Sequence, residues 1–300
     1  MSFDSEQPAL HADRVSKRFR GAWALRDATF ALPRGSVTAL VGANGAGKST
    51  LLSIAAGLMP PSEGRMLILG GPVHRRMHPA AAFLAQHKPL YDAFTVGEHL
   101  RLGRELNERW NQRTAHDLLD RHRISLDVRA GVLSTGQRAQ VGLALALARE
   151  PDVLLLDEPA AALDPLARDD LHRTLMAEVA QRGTTVLLSS HQLHDLQDLC
   201  DRLVLLDRGS VRLEGDIDEL LDEHRFLIGS AADEVPLPAG ALVHERRAER
   251  QATLLMRDGG PPPDGWAAEM PTLESLVLGY LNSGRDRAEG DLAEAGGGRR

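Results

Sequence analysis

The sequence predicts an α/β fold built on a largely parallel sheet. Three observations carry this reading. Short apolar runs at 36–42, 153–159 and 184–191 have the length of buried strands, helical spacing fills the chain between them, and a glycine-rich turn joins the first run to a helix. In order, ALHADRV and ALRDATFAL alternate loosely as strands, and PRG at 33–35 turns into SVTALVG (36–42). The glycine turn leads into KSTLLSIAAGL, whose helical spacing stops at Gly57 ahead of Pro60 and Pro61. Strand, glycine turn and helix open a βαβ unit. RMLILGG (65–71) and AAFLAQ (81–86) read as further strands.

From 87 to about 150 the pattern becomes helical. TVGEHLRLGRELNERW and QRTAHDLLDRHR are amphipathic, and GQRAQVGLALALARE (136–150) is more apolar. VLLLDEP (153–159) is a continuous apolar run closed by acids and proline, as a strand buried on both faces requires. A helix over 165–181 and the strand TTVLLSSH (184–191) follow. HDLQDLC reads as helix, with Cys200 in it as a small core residue, and DRLVLLDRGSVRLEG reads as a hairpin turning at Arg208-Gly209. The expected division is a main domain over 8–221, with its helical insertion at about 87–150, and a small accessory domain over 222–283. In the latter HRFLIG, ALVHERRAER and QATLLMRD are strand candidates and PTLESLVLGYLN is an amphipathic helix. The polar, glycine-rich stretch 284–300 is expected to be a disordered tail.

Composition narrows the function. The chain of 300 residues is 43% hydrophobic and 26% charged with a net charge of −7, which fits a folded globular protein and opposes nucleic-acid binding through a basic face. The single cysteine excludes an intrachain disulfide, and the scattered histidines lack zinc-ligand spacing. No apolar stretch reaches the ~20 residues of a membrane span, and the N-terminal residues do not resemble a secretory signal, so a cytoplasmic location is expected.

The strongest chemical feature is Gly42-Ala43-Asn44-Gly45-Ala46-Gly47-Lys48-Ser49-Thr50, which fits the P-loop pattern G-x-x-x-x-G-K-[ST] between a strand and a helix. Glycines let successive backbone N–H groups point at one anion, and the following helix aims its positive end at the same phosphates. Lys48 is placed for the β- and γ-phosphates and Ser49 for Mg²⁺. About a hundred residues later, Asp157 ends an apolar strand, where a nucleotide hydrolase needs a carboxylate for the Mg²⁺ shell. The adjacent Glu158 is placed to accept a proton from attacking water.

With these motifs in hand, the sequence resembles the ATP-binding subunits of ABC transporters. Leu133-Ser134-Thr135-Gly136-Gln137 resembles the signature motif, usually LSGGQ, and Gln86 follows a short strand as the Q-loop residue does. Ala162-Leu163-Asp164 resembles the D-loop, His191 closes a strand as the switch histidine does, and Phe19 stands where an aromatic stacks on adenine. The resemblance covers roughly 10–220 and refines the expected fold to a P-loop nucleotide-hydrolase core with an antiparallel β subdomain and a helical insertion.

The resemblance implies a dimer in which ATP is held between the P-loop of one subunit and Ser134, Gly136 and Gln137 of the other. Glu158 would polarise water, His191 would stabilise γ-phosphate charge, Gln86 would sense Mg²⁺, and Asp164 would bridge subunits. Two positions depart from the usual pattern: Thr135 replaces a glycine, and Phe19 replaces a tyrosine. The implied partners are an ABC permease in the membrane and a second ATPase subunit, identical or different, with the chain held peripherally at the inner membrane face. The segment from Tyr91 to Gln137 is similar to subunits paired with ABC-2-type permeases, mostly exporters. Tyr91 and Phe94 are then candidates for a contact surface on that partner. The alternative is a soluble ABC ATPase acting on ribosomes or DNA. A single signature motif, the lack of a long heptad run and the negative charge oppose it.

Overall fold

The computed structural model describes residues 7–296 except 88–89, 162, 191–192, 194–195, 197–198, 234–236, 239, 259 and 261, with side chains of the last helix described as far as Gly284. The chain opens with β1 (Leu10–Phe19) and β2 (Ala22–Leu32), paired antiparallel around Arg20-Gly21. Both turn residues have positive φ, 42° and 95°, the tight geometry that matches strand twist. β3 (Val37–Val41) is buried throughout and feeds α1 (Lys48–Ala55). β4 (Glu63–Ile68) and β5 (Gly71–Pro72) complete a four-stranded antiparallel sheet in the order β2-β1-β4-β5, the expected antiparallel subdomain. β6 (Ala81–Leu84) then precedes the helical insertion of α2 (Val96–Leu106), α3 (Gln112–Arg121) and α4 (Thr135–Leu147). Side-chain caps start each helix: Thr95 with Glu98, Asn111, and Ser134 with Gln137.

β7 (Val153–Leu156), α5 (Pro165–Arg182), β8 (Thr185–Ser190), β9 (Arg202–Asp207) and β10 (Ser210–Asp216) return to the core. They complete a six-stranded sheet in the order β10-β9-β3-β8-β7-β6, parallel except for the β9–β10 hairpin. The continuous apolar runs have a direct cause here. Val153, Leu155, Leu187, Val204 and Leu206 pack with α1 and the antiparallel sheet, while Leu154, Leu156, Val186, Leu188, Leu203 and Leu205 pack with the helical side. A strand covered on both faces cannot alternate with polar residues. The hairpin turns at Arg208-Gly209 as predicted, both with positive φ.

One predicted helix falls largely outside the described residues. Of HDLQDLC, the described Leu196 and Leu199 lie in turns, and Cys200 sits outside any helix, buried ahead of β9; His194, Asp195, Gln197 and Asp198 lie outside the described residues. Leu196, Leu199 and Cys200 pack into the core, and the Cys200 N–H donates to the Leu196 carbonyl at 2.8 Å.

The C-terminal region contains α6 (Ile217–Asp222), then β11 (His224–Ser230), β12 (Leu242–Arg247), β13 (Gln251–Arg257) and β14 (Ala267–Glu269) in an antiparallel sheet ordered β12-β13-β11-β14. α7 (Leu273–Gly296) closes it. His224, buried at the start of β11, donates from Nδ1 to the Leu220 carbonyl at 2.6 Å and accepts from the Tyr280 hydroxyl at 2.8 Å, tying α6 to α7. Burial holds this imidazole below its usual range, which keeps it in the neutral form these bonds need. α7 continues past residue 284, where composition predicts a disordered tail. Alanine, glutamate and arginine in that stretch are helix formers, and residues 297–300 lie outside the described residues.

Candidate functional site

The parallel strands β3, β7 and β8 end on one edge of the sheet, and the residues just past those ends form a cleft of about 220 Å³. Ligand sites in open parallel sheets gather at this edge because loops from several strands meet there. Asn44, Gly45, Gly47, Lys48, Ser49, Thr50, Gln86 and Glu158 line the cleft together with Ala24.

The loop 42–47 is shaped by close approach. A Cβ on Gly42 would lie 2.2 Å from the Leu206 carbonyl oxygen, so no side chain fits between the loop and β9. Gly47 has φ 110°, and its Cβ would lie 2.6 Å from the Ala24 carbonyl; it caps α1, which begins at Lys48. The Gly209 N–H donates to the Ala46 carbonyl at 2.9 Å, so the β9–β10 turn braces the loop from behind. Lys48 Nζ donates to the carbonyls of Gly42 at 2.7 Å and Ala43 at 3.3 Å. Burial lowers its pKa, and the carboxylates of Glu158 and Asp157 oppose that effect.

Across the cleft, Ser49 Oγ donates to Asp157 Oδ1 at 3.2 Å. Ser189 Oγ donates to the same oxygen at 2.7 Å and accepts from the Glu158 N–H at 2.9 Å. Glu158 has φ 48°, the left-handed region a non-glycine residue rarely adopts, and its side chain reaches the cleft. The arrangement supplies backbone N–H groups, a helix N-terminus and one cation for a polyphosphate. It also places a hydroxyl beside a carboxylate, the oxygen donors a hard divalent cation requires.

Other predicted residues stand apart from this cleft. Phe19, at the end of β1, is 45% exposed with Lys17 Nζ 5.3 Å from its ring centre, and it does not line the cleft; Ala24 of the same hairpin does. Ser134, Thr135 and Gln137 are exposed, and none of residues 133–137 lines the cleft. Ser134 accepts from the Gln137 N–H at 3.2 Å while its own N–H donates to Gln137 Oε1 at 3.0 Å. The helix therefore begins at Thr135 and presents its N-terminus to the surface, with the Ser134 hydroxyl proton still available to donate. Asp164 caps α5 by accepting from the Ala167 N–H at 2.9 Å. His191 and Ala162 lie outside the described residues.

Sequence reasoning missed Ser189. Its signal is present in TTVLLSSH, where serines interrupt an apolar strand just before its end. Serine there is isolated from water, with no exposure, and therefore needs internal partners.

Among the described residues no helix is long and apolar enough to cross a membrane. The sequence profile of the ABC transporter family matches residues 25–161. Nod factor export ATP-binding protein I of Bradyrhizobium diazoefficiens is 37% identical over 218 residues, covering 70% of this chain and 71% of that protein. The methionine import ATP-binding protein MetN of Protochlamydia amoebophila is 30% identical over 295 residues, covering 89% and 83%. A solved ATP-binding subunit of an ABC transporter superimposes with a TM-score of 0.65 at 32% identity, over 71% of this chain and 92% of that one.

Proposed function

Because the chain belongs to the ABC transporter family, as an ATP-binding ATPase subunit, we propose that it closes as a dimer around two ATP-Mg²⁺ and thereby drives a separate membrane permease. The observation that carries this reading is the separation of two halves of one site. The P-loop cleft gathers groups suited to binding phosphate, while the signature helix presents its capped N-terminus on a different, exposed surface. A second subunit, identical or homologous, brings such a helix onto each cleft.

In this reading Lys48 leaves the Gly42 carbonyl for the β- and γ-phosphate oxygens, and the N–H groups of 44–50 bind the same groups. Ser49, Asp157 and Gln86 hold Mg²⁺, which when bound neutralises phosphate charge. Glu158 accepts the proton of the attacking water, and His191 stabilises charge on the γ-phosphate. Phe19 stacks on adenine through its exposed face. Ser134, Gly136 and Gln137 of the facing subunit contact the γ-phosphate, and Asp164 bridges the two subunits. The permease is of the ABC-2 type and the direction is export. The support for this is the short helical insertion, since relatives named for export and for import reach the same identity of 37%.

The test is Glu158→Gln. The amide keeps the shape and loses the base, so hydrolysis falls by about 10²–10⁴-fold. Sizing with ATP and Mg²⁺ is expected to show a dimer that wild type forms only transiently. A variant that stays monomeric and hydrolyses at the wild-type rate would refute the assignment.

A further inference from the structure

The C-terminal helix α7 lies against the strand that leads into the brace of the phosphate-binding loop. Leu273, Leu276 and Val277 are buried in the same apolar cluster as Leu203 and Leu205 of β9 and Leu255 of β13. Gly279 permits this close seat, because a Cβ there would stand 2.3 Å from Leu255 Cδ2. Further along the helix Gly284 is also buried, and a Cβ on it would stand 2.5 Å from Asp207 Oδ2 and 3.5 Å from Asp207 Cγ. The backbone of α7 therefore rests on the carboxylate of the last residue of β9.

Asp207 is a costly group to cover in this way. It is 8% exposed, its Oδ2 receives no hydrogen bond among the described residues, and Arg212 Nε stands 3.7 Å away. A carboxylate so withdrawn from water is ordinarily hydrogen-bonded, whereas α7 meets this one with a bare glycine. The residues on either side of Asp207 hold the phosphate-binding loop. The Leu206 carbonyl oxygen fills the space where Gly42 would carry a Cβ, at 2.2 Å. Gly209 donates to the Ala46 carbonyl at 2.9 Å and accepts from the Arg26 N–H at 2.8 Å. The loop thus rests on the backbone of Leu206 and Gly209, and α7 rests on the side chain between them. Packing this close passes a displacement on rather than absorbing it.

We propose that α7 sets nucleotide affinity through the contact of Gly284 with Asp207. With the helix seated, residues 206–209 hold the phosphate-binding loop in its binding shape, and a shift of α7 loosens it. This rests on the nucleotide-binding reading above and makes Asp207 a positioning residue for the loop. It also gives the accessory region a role, because the bond of His224 to Tyr280 ties α7 to the accessory sheet. The coupling is reciprocal, so nucleotide in the cleft holds α7 in its seat by the same factor. A contact that served packing alone would change thermal stability and leave nucleotide affinity as it is.

The experiment uses the full chain and measures its affinity for ADP-Mg²⁺ by calorimetry, with the thermal midpoint beside it. Gly284→Ala presses a methyl group on Asp207 without touching the cleft, and is expected to weaken ADP binding by about fivefold or more. In an Asp207→Ala background the opposing carboxylate is gone, and the same change is expected to alter affinity by less than about twofold. No effect of Gly284→Ala on affinity, or an equal effect in both backgrounds, would overturn the proposal and leave the P-loop reading intact. The unmodified chain supplies a measurement that does not depend on any variant folding. Saturating ADP-Mg²⁺ is expected to slow amide hydrogen exchange across residues 273–284 by about fivefold or more. Unchanged exchange there would also overturn the coupling. An unmodified chain that binds no nucleotide would overturn the coupling and the nucleotide reading together.

Discussion

Ser189 donates a 2.7 Å hydrogen bond to Asp157 Oδ1 and, through the same hydroxyl oxygen, accepts the N–H of Glu158 at 2.9 Å. One side chain at the end of β8 thus holds two consecutive acids at the end of β7. Glu158 sits in the left-handed backbone region, so this bond helps to hold a conformation the chain would otherwise avoid. Ser189→Ala is expected to lower turnover by about tenfold or more, since removing a buried hydrogen-bond partner costs about 1–3 kcal/mol. ATP affinity should change far less, because the P-loop is untouched. Equal losses in binding and turnover, or no loss in either, would count against a positioning role.

Lys48→Ala is expected to abolish ATP binding or turnover while the fold survives. Among the described residues Lys48 donates only to carbonyls of its own loop, and the loop is shaped by glycine backbone and braced by Gly209. ATPase rate and thermal midpoint measured side by side check this. Near-normal turnover in the folded variant would remove the P-loop assignment.

Gly136 has room inside its own subunit. A Cβ there would meet Ala167 Cβ at 3.6 Å, an ordinary contact. Gly136→Asp should therefore fold, and an acid in the first turn of α4 is favoured by the helix dipole. The same carboxylate would repel phosphates brought by a second subunit. The expected outcome is an unchanged or raised thermal midpoint with loss of ATP-induced dimer in sizing experiments. Normal dimerisation would show that the signature helix does not face ATP.

Tyr91 and Phe94 are 63% and 39% exposed, with ring centres 5.1 Å apart, so the surface placement expected for them holds. Replacing both with alanine is expected to weaken co-purification with the membrane partner and to remove transport. ATP binding by the isolated subunit should be little altered. General unfolding of the double variant would instead assign the pair to the internal packing of the helical insertion.

Much of the site was legible because its chemistry is local. A strand, a glycine turn and a helix occupy consecutive residues, and Asp157 and Glu158 follow a run that has to be buried on both faces. Ser189 was less legible, since a serine in a strand acquires meaning only from the strand beside it. Arg149 looked like one more charged residue after an apolar helix.

The amino-acid sequence by itself determined the buried core strands, the parallel character of the central sheet and the phosphate-binding loop. Apolar periodicity and glycine placement act over a few residues, so the chain carries them wherever it folds. Only the tertiary structure decided which distant residues meet. It put the Ser189 hydroxyl against Asp157, left the N-terminus of α4 outside the lining of the P-loop cleft, and placed Arg149 in an apolar wall with its neighbouring acids already paired. These depend on strand order and helix packing, which bring together groups far apart in the chain and settle which charges find partners within it.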